Sequence, residues 1–181
     1  RLAEYDVEFL KRSENRPLRM QLEMLKTETL LRENGVDSTI VVFGGTQIMP
    51  HDVAEARLRA ALAAAKQSPE DRRLAGAVKR AESVLAKSRY YEEAREFGRI
   101  VSTNCQIEGR CKFVVMTGGG PGIMEAGNKG AFEAGGQSIG LNITLPKERE
   151  GNRYQSVSLD FHYFYARKVM FVKYADAFIC F

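Results

Sequence analysis

The sequence has no tryptophan, only two histidines, His51 and His162, and three cysteines, Cys105, Cys111 and Cys180. Histidines this isolated, neither in a ligand-spaced cluster, disfavour metal catalysis, and no metal site is expected. An odd, sparse set of cysteines suits a reducing compartment better than a disulfide framework; Cys105 and Cys111 are close enough to pair, but free thiols are the expectation. No apolar run approaches the roughly 20 residues that a membrane-spanning helix needs. The opening Arg1-Leu2-Ala3-Glu4-Tyr5 lacks the charged-then-apolar layout of a signal peptide. A cytoplasmic location without membrane contact is therefore expected. Excess charge of one sign is also missing, with 27 Lys+Arg against 23 Asp+Glu and a formal net charge of +4. Arg72-Arg73 and Lys79-Arg80 lie among Glu70, Asp71 and Glu82, which reads as a mixed, solvated helix face rather than a nucleic-acid stripe.

What is present is a chain of 181 residues, 44% hydrophobic and 28% charged, enough for one domain with a sizeable core. It starts without methionine at Arg1 and stops at Phe181 inside the apolar run Ala177-Phe178-Ile179-Cys180-Phe181, so trimming at both ends is expected. Residues 1–37 read as an N-terminal helical extension, with Leu18, Leu22, Leu25, Thr29 and Leu30 at helical spacing after Pro17, and Gly35 as the stop. That helix is expected to pack on the domain or on a second subunit. The domain proper covers 38–181. Thr39–Phe43 is a buried strand ending in the turn Gly44-Gly45-Thr46, and 52–103 holds two or three helices broken at Pro69, with Tyr90, Tyr91 and Phe97 as packing residues.

A turn at Glu108-Gly109-Arg110 leads to a second strand over 113–116. Then come a helix from about 122 to 134, closed by Gly135-Gly136, and a third strand at 138–143, ending near Pro146. Residues 147–156 form a polar loop, either a mobile lid or a surface connection. A helix over 163–174 leads into the terminal strand. Alternating strands and helices predict a doubly wound, mainly parallel, Rossmann-like α/β sheet with helices on both faces. Ligands of such sheets sit beyond the carboxyl ends of the strands, where both glycine turns fall.

The most informative stretch is Thr117-Gly118-Gly119-Gly120-Pro121-Gly122-Ile123-Met124-Glu125-Ala126. A buried strand runs into glycines that open directly into a helix, with Pro121 suited to the first helical position. Glycine backbone approaches an anion closely, and the helix start adds unpaired amides and the positive end of its dipole. No Gly-Lys-Ser/Thr follows, so this is not a Walker A loop. The dinucleotide spacing also fails, since Ile123 stands where a third glycine belongs and the strand at 138–143 ends in Leu141-Asn142-Ile143 without a carboxylate for a ribose diol. A single-phosphate cradle remains, with Gly45 and Thr46 available to contact the rest of a mononucleotide. No other cofactor is expected. Arg167 and Lys168, among the apolar residues 163–171, are the candidate cations; a guanidinium holds phosphate in fixed geometry, whereas the lysine, about 100° round the helix, need not face the same way.

These residues, with Ser138-Ile139-Gly140-Leu141-Asn142-Ile143, Arg167-Lys168 and Phe171-Val172-Lys173-Tyr174-Ala175, resemble the Lonely Guy (LOG) family over roughly residues 38–181. Its members are cytokinin riboside 5′-monophosphate phosphoribohydrolases or resemble AMP nucleosidases. An older label, lysine decarboxylase, finds no support here, as nothing marks a lysine for pyridoxal phosphate. The resemblance implies hydrolysis of the N-glycosidic bond of a nucleoside 5′-monophosphate to free base and ribose 5-phosphate, by at least a homodimer. It further implies Arg167 as the catalytic arginine and Gly118, Gly119, Gly120 and Gly122 as part of the phosphate site. Gly45 and Thr46 stand where many relatives carry other residues.

The family's catalytic carboxylate comes from a Pro-Gly-Gly-x-Gly-Thr-x-x-Glu motif after the strand that here ends at Phe181, and the 181 residues do not contain it. The chain as given is expected to be inactive and its longer parent active. Glu125 is expected to line the site or to serve the fold, since an anion so near the cradle repels phosphate. Two alternatives stay open: binding of a nucleotide or phosphorylated cofactor without cleavage, and binding of single-stranded nucleic acid, which poor basic clustering disfavours.

Overall fold

The computed structural model describes residues 2–107, 110–144 and 151–181. The turn expected at 108–110, the strand end expected near Pro146 and the first part, 147–150, of the loop expected at 147–156 fall wholly or partly outside them.

Short helical turns, including α1 (Val7–Leu10), precede the long helix α2 (Arg16–Glu33), which has Pro17 in its first turn and ends at Asn34 before Gly35 with φ 64°. β1 (Thr39–Phe43) is followed by three helices, α3 (His51–Gln67), α4 (Arg72–Lys87) and α5 (Arg89–Cys105). Asp71 caps α4 by accepting from Arg73 N at 2.8 Å. His51 Nδ1 lies 3.0 Å from Ser88 Oγ, tying the start of α3 to the α4–α5 junction. A two-stranded ribbon, β2 (Gln106–Ile107) and β3 (Arg110–Cys111), leads to β4 (Val114–Thr117), α6 (Ile123–Glu133), β5 (Ser138–Ile143), β6 (Val157–Phe161), α7 (Phe164–Tyr174) and β7 (Ala175–Cys180). Cys105 and Cys180 are free thiols. Among the described residues no helix is long and apolar enough to cross a membrane.

The main sheet is parallel throughout, in the order β6-β5-β4-β1-β7. Alternation along its strands divides the core between two faces. Val41, Val114, Met116, Ile139 and Leu141 pack beneath α2 and α7, against Leu31, Met170 and Phe171. Val42 and Val115 face the other way, onto α5 and α6, where Tyr91, Ala94, Ile123 and Ala126 meet them. Helices on both faces and an all-parallel sheet make this a doubly wound α/β fold. The α5–α6 contact is close: a Cβ on Gly130 would stand 1.8 Å from the Arg95 carbonyl oxygen. Arg95 reinforces the pair by donating through Nε and Nη2 to the two oxygens of Glu133.

Two local expectations are corrected and one strand is added. β6 is an additional strand; its Val157, Leu159 and Phe161 point inward while Ser158 and Asp160 point out, the period-2 pattern of a half-buried strand. On α2 the packed side is Met20, Met24, Thr27 and Leu31, joined by Leu30 of the expected stripe, whereas Leu18, Leu22, Leu25 and Thr29 face outward. Both sets have helical spacing, so periodicity alone did not choose between them. Pro121 precedes the N-cap, Gly122, instead of occupying the first helical position.

Candidate functional site

The register pairs Val42 with Thr117 and Thr117 with Gly140, so β1, β4 and β5 reach the same edge of the sheet. After β1 the chain adds β4, β5 and β6 on one side and β7 on the other. This reversal makes the carboxyl end of β1 the switch point of the sheet, the position where doubly wound sheets bind ligands. Both glycine turns lie there. Gly45 O accepts from Ile123 N at 3.3 Å, joining the β1 turn to the first residue of α6. Gly122 makes the approach possible: its φ is 74°, and a Cβ there would stand 2.3 Å from Gly45 O. Gly45 and Thr46 are both exposed.

α6 carries no side-chain cap at its N-terminus. Gly119 N is satisfied by Thr117 Oγ1 at 2.9 Å, and Ala126 N by Gly122 O at 2.9 Å. The N–H groups of Gly120, Gly122, Met124 and Glu125 donate to no other described residue. A helix start with several unpartnered amides concentrates partial positive charge at one point.

Arg167 comes to the same turn from α7. Its Nε donates to Leu141 O at 2.6 Å and its Nη2 to Gly118 O at 3.0 Å, while the guanidinium lies 5.4 Å from the centroid of the Phe171 ring. Gly118 leaves room for it, since a Cβ there would fall 2.7 Å from Nη2. A half-buried cation is thus anchored across the carboxyl ends of β4 and β5. Lys168, the next residue on α7, is exposed, and no contact among the described residues joins it to the glycine turn.

Glu125 sits half-buried in the first turn of α6 and accepts from the Tyr91 hydroxyl at 3.0 Å. Tyr91 is only 1% exposed; burial, reinforced by the neighbouring Glu125 carboxylate, raises its phenol above the usual tyrosine range. Tyr91 therefore packs, as expected, and also reaches a residue of the turn.

Residues 151–156 are neither a bare surface connection nor apart from the site. Asn152 N donates to Gly119 O at 2.8 Å, and Asn152 Nδ2 lies 3.1 Å from each of Gly119 O, Gly120 O and Asn128 Oδ1. Gln155 Nε2 donates to Gly119 O at 3.1 Å, and its Oε1 accepts from Asn142 Nδ2 at 3.1 Å. Thr117 Oγ1 donates to Asn128 Oδ1 at 2.7 Å. These side-chain amides escape a reading by composition. The one sequence signal is Asn128 itself, a fully buried amide on a helix face otherwise made of Ile123, Ala and Gly.

No curated protein matches the chain. One solved structure that does, described as the X-ray structure of TM1055, a structural-genomics target, is 23% identical with a TM-score of 0.46. That match covers 79% of this chain and 59% of the other, so the chain spans less than two thirds of that protein. Family-level similarity is stronger: the family LDcluster4, the SLOG cluster4 family, matches residues 76–181, from α4 through the glycine turn and Arg167 to the last residue. More than half of the sequence is included, so this chain belongs to the SLOG cluster4 family, a LOG-like family.

Proposed function

We propose that the site binds a nucleoside 5′-monophosphate and that the full-length protein hydrolyses its N-glycosidic bond. The observation that carries this reading is the meeting of an uncapped α6 start, the Gly44–Thr46 turn and the anchored Arg167 at one edge of the sheet. The amides of the α6 start that have no partner among the described residues suit a dianionic phosphate. Thr46 and Gly45, exposed beside them, border the space that the sugar and base would occupy.

The reaction adds water at the anomeric carbon, breaks the carbon–nitrogen bond and releases the base, with its proton, beside ribose 5-phosphate. Positive charge grows on the sugar as that bond breaks. A carboxylate near the sugar stabilises this charge, and a phosphate held elsewhere lets remote binding energy act at the reacting centre. By resemblance to the LOG family, Arg167 is the catalytic arginine, and the carboxylate belongs to the motif that these 181 residues do not include. Glu125 is the carboxylate this chain brings to the turn. Its link to Tyr91 suits a lining role.

Incubating the full-length protein with AMP and separating the products tests the reading: free adenine and ribose 5-phosphate in equal amounts support it. Tight AMP binding without base release would favour a nucleotide-binding protein that does no chemistry. The same resemblance proposes at least a dimer, which sedimentation of the full-length protein would reveal.

A further inference from the structure

We infer that residues 151–156 form a clasp that orients the Gly119–Gly120 peptide for anion binding, with Asn152 as a positioning residue. The inference rests on the phosphate-binding part of the function proposed above. Gly119 O receives three donors, Asn152 N, Asn152 Nδ2 and Gln155 Nε2, while Gly120 O receives Asn152 Nδ2. Two carbonyl dipoles are therefore held on the clasp side of the turn. A trans peptide is planar with its C=O and N–H opposed, so fixing Gly119 O on the clasp directs the Gly120 N–H away from it.

That matters for an anion because the same turn could rotate its carbonyls outward, where they would repel a phosphate. Glycine backbone has the freedom to do so, and Gly119 already has a positive φ of 73°. The clasp removes that freedom before ligand arrives, which is preorganisation. Its own geometry is fixed too. Asn152 Oδ1 accepts from Tyr154 N at 3.2 Å, which sets which end of the amide faces the glycines. Gln155 is held through Asn142, whose Nδ2 also donates to Ser158 Oγ at 2.9 Å on β6. The additional strand thus supports the clasp.

The test is Asn152→Ala in the full-length protein, with AMP, adenosine and inorganic phosphate as separate probes. Losing hydrogen bonds that orient one phosphate-facing amide is expected to weaken AMP and phosphate about tenfold, while adenosine changes less than about twofold. In turnover, KM for AMP rises by a similar factor and kcat stays within about twofold of wild type. Gln155→Ala removes one donor of three and is expected to weaken AMP by about two- to threefold; it decides the matter if Asn152→Ala does not fold. Unchanged AMP affinity in a folded variant, or equal losses for AMP and adenosine, overturns the inference while leaving the proposed function standing. A wild-type protein that binds neither AMP nor phosphate overturns both.

Discussion

Replacing Tyr91 by phenylalanine removes a single oxygen from the core and tests the coupling between α5 and the glycine turn. The hydroxyl donates to Glu125 at 3.0 Å from a side chain that is 1% exposed, so its loss leaves a half-buried carboxylate short of one donor. Hydrogen bonds to charged groups contribute about 1.5–3 kcal/mol, and partial access of water to Glu125 reduces this to about 1–2 kcal/mol at neutral pH. The gap should depend on pH, because the folded protein holds the phenol above its ordinary value of 10.0. A raised folded value means that the stabilisation is fully present below the unfolded value. Above it the unfolded chain releases the proton while the folded protein keeps it. Wild type then loses about 1.4 kcal/mol per pH unit relative to the variant. By about pH 11 most of the neutral-pH gap should have closed. Urea unfolding of both proteins from neutral pH to that limit measures it, and subtraction cancels the other tyrosines and lysines. Parallel stability profiles, or no difference at neutral pH, would refute the argument.

Arg167→Lys keeps the charge but cannot span Leu141 O and Gly118 O, so turnover of AMP should fall at least about tenfold with a stability loss of about 1–2 kcal/mol, read by kinetics and thermal melts. Glu125→Gln removes an anion from the first turn of α6 and should tighten AMP binding by about two- to fivefold in calorimetry; weaker binding would contradict electrostatic repulsion there. Gly130→Ala drives a methyl group against the Arg95 carbonyl, and denaturant unfolding should show a loss of about 2–3 kcal/mol. The Arg95–Glu133 pair is partly exposed, so a double-mutant cycle should give coupling no larger than about 1 kcal/mol.

The sequence is most readable where one element's signal is undivided. β1, β4 and β5 are short apolar runs bounded by turn residues, and α6 starts at the only glycine cluster that opens into a helical pattern. Apolar neighbours marked Arg167 and Lys168 alike as candidate cations and the family resemblance singled out Arg167; in the fold Arg167 reaches Gly118 O while Lys168 is exposed. Other features had no such signal. α2 carries two apolar stripes, and only the shape of the sheet selects Met20, Met24 and Leu31 over Leu18, Leu22 and Leu25. β6 follows a polar loop and alternates for only five residues. Asn152 and Gln155 act on backbone carbonyls more than thirty positions earlier, a relation that no periodicity records. Tyr91 was readable as a packing residue, but its hydroxyl partner depends on how α5 crosses α6.

The central claim is that the glycine turn and Arg167 hold a nucleoside 5′-monophosphate for cleavage. Its most direct test follows AMP consumption, free adenine and ribose 5-phosphate together in one time course, with full-length wild type beside full-length Arg167→Ala. The account predicts equal appearance of both products with wild type and loss of turnover in the variant. Adenine release at the same rate by the variant, or AMP left intact by wild type that binds it, would contradict it.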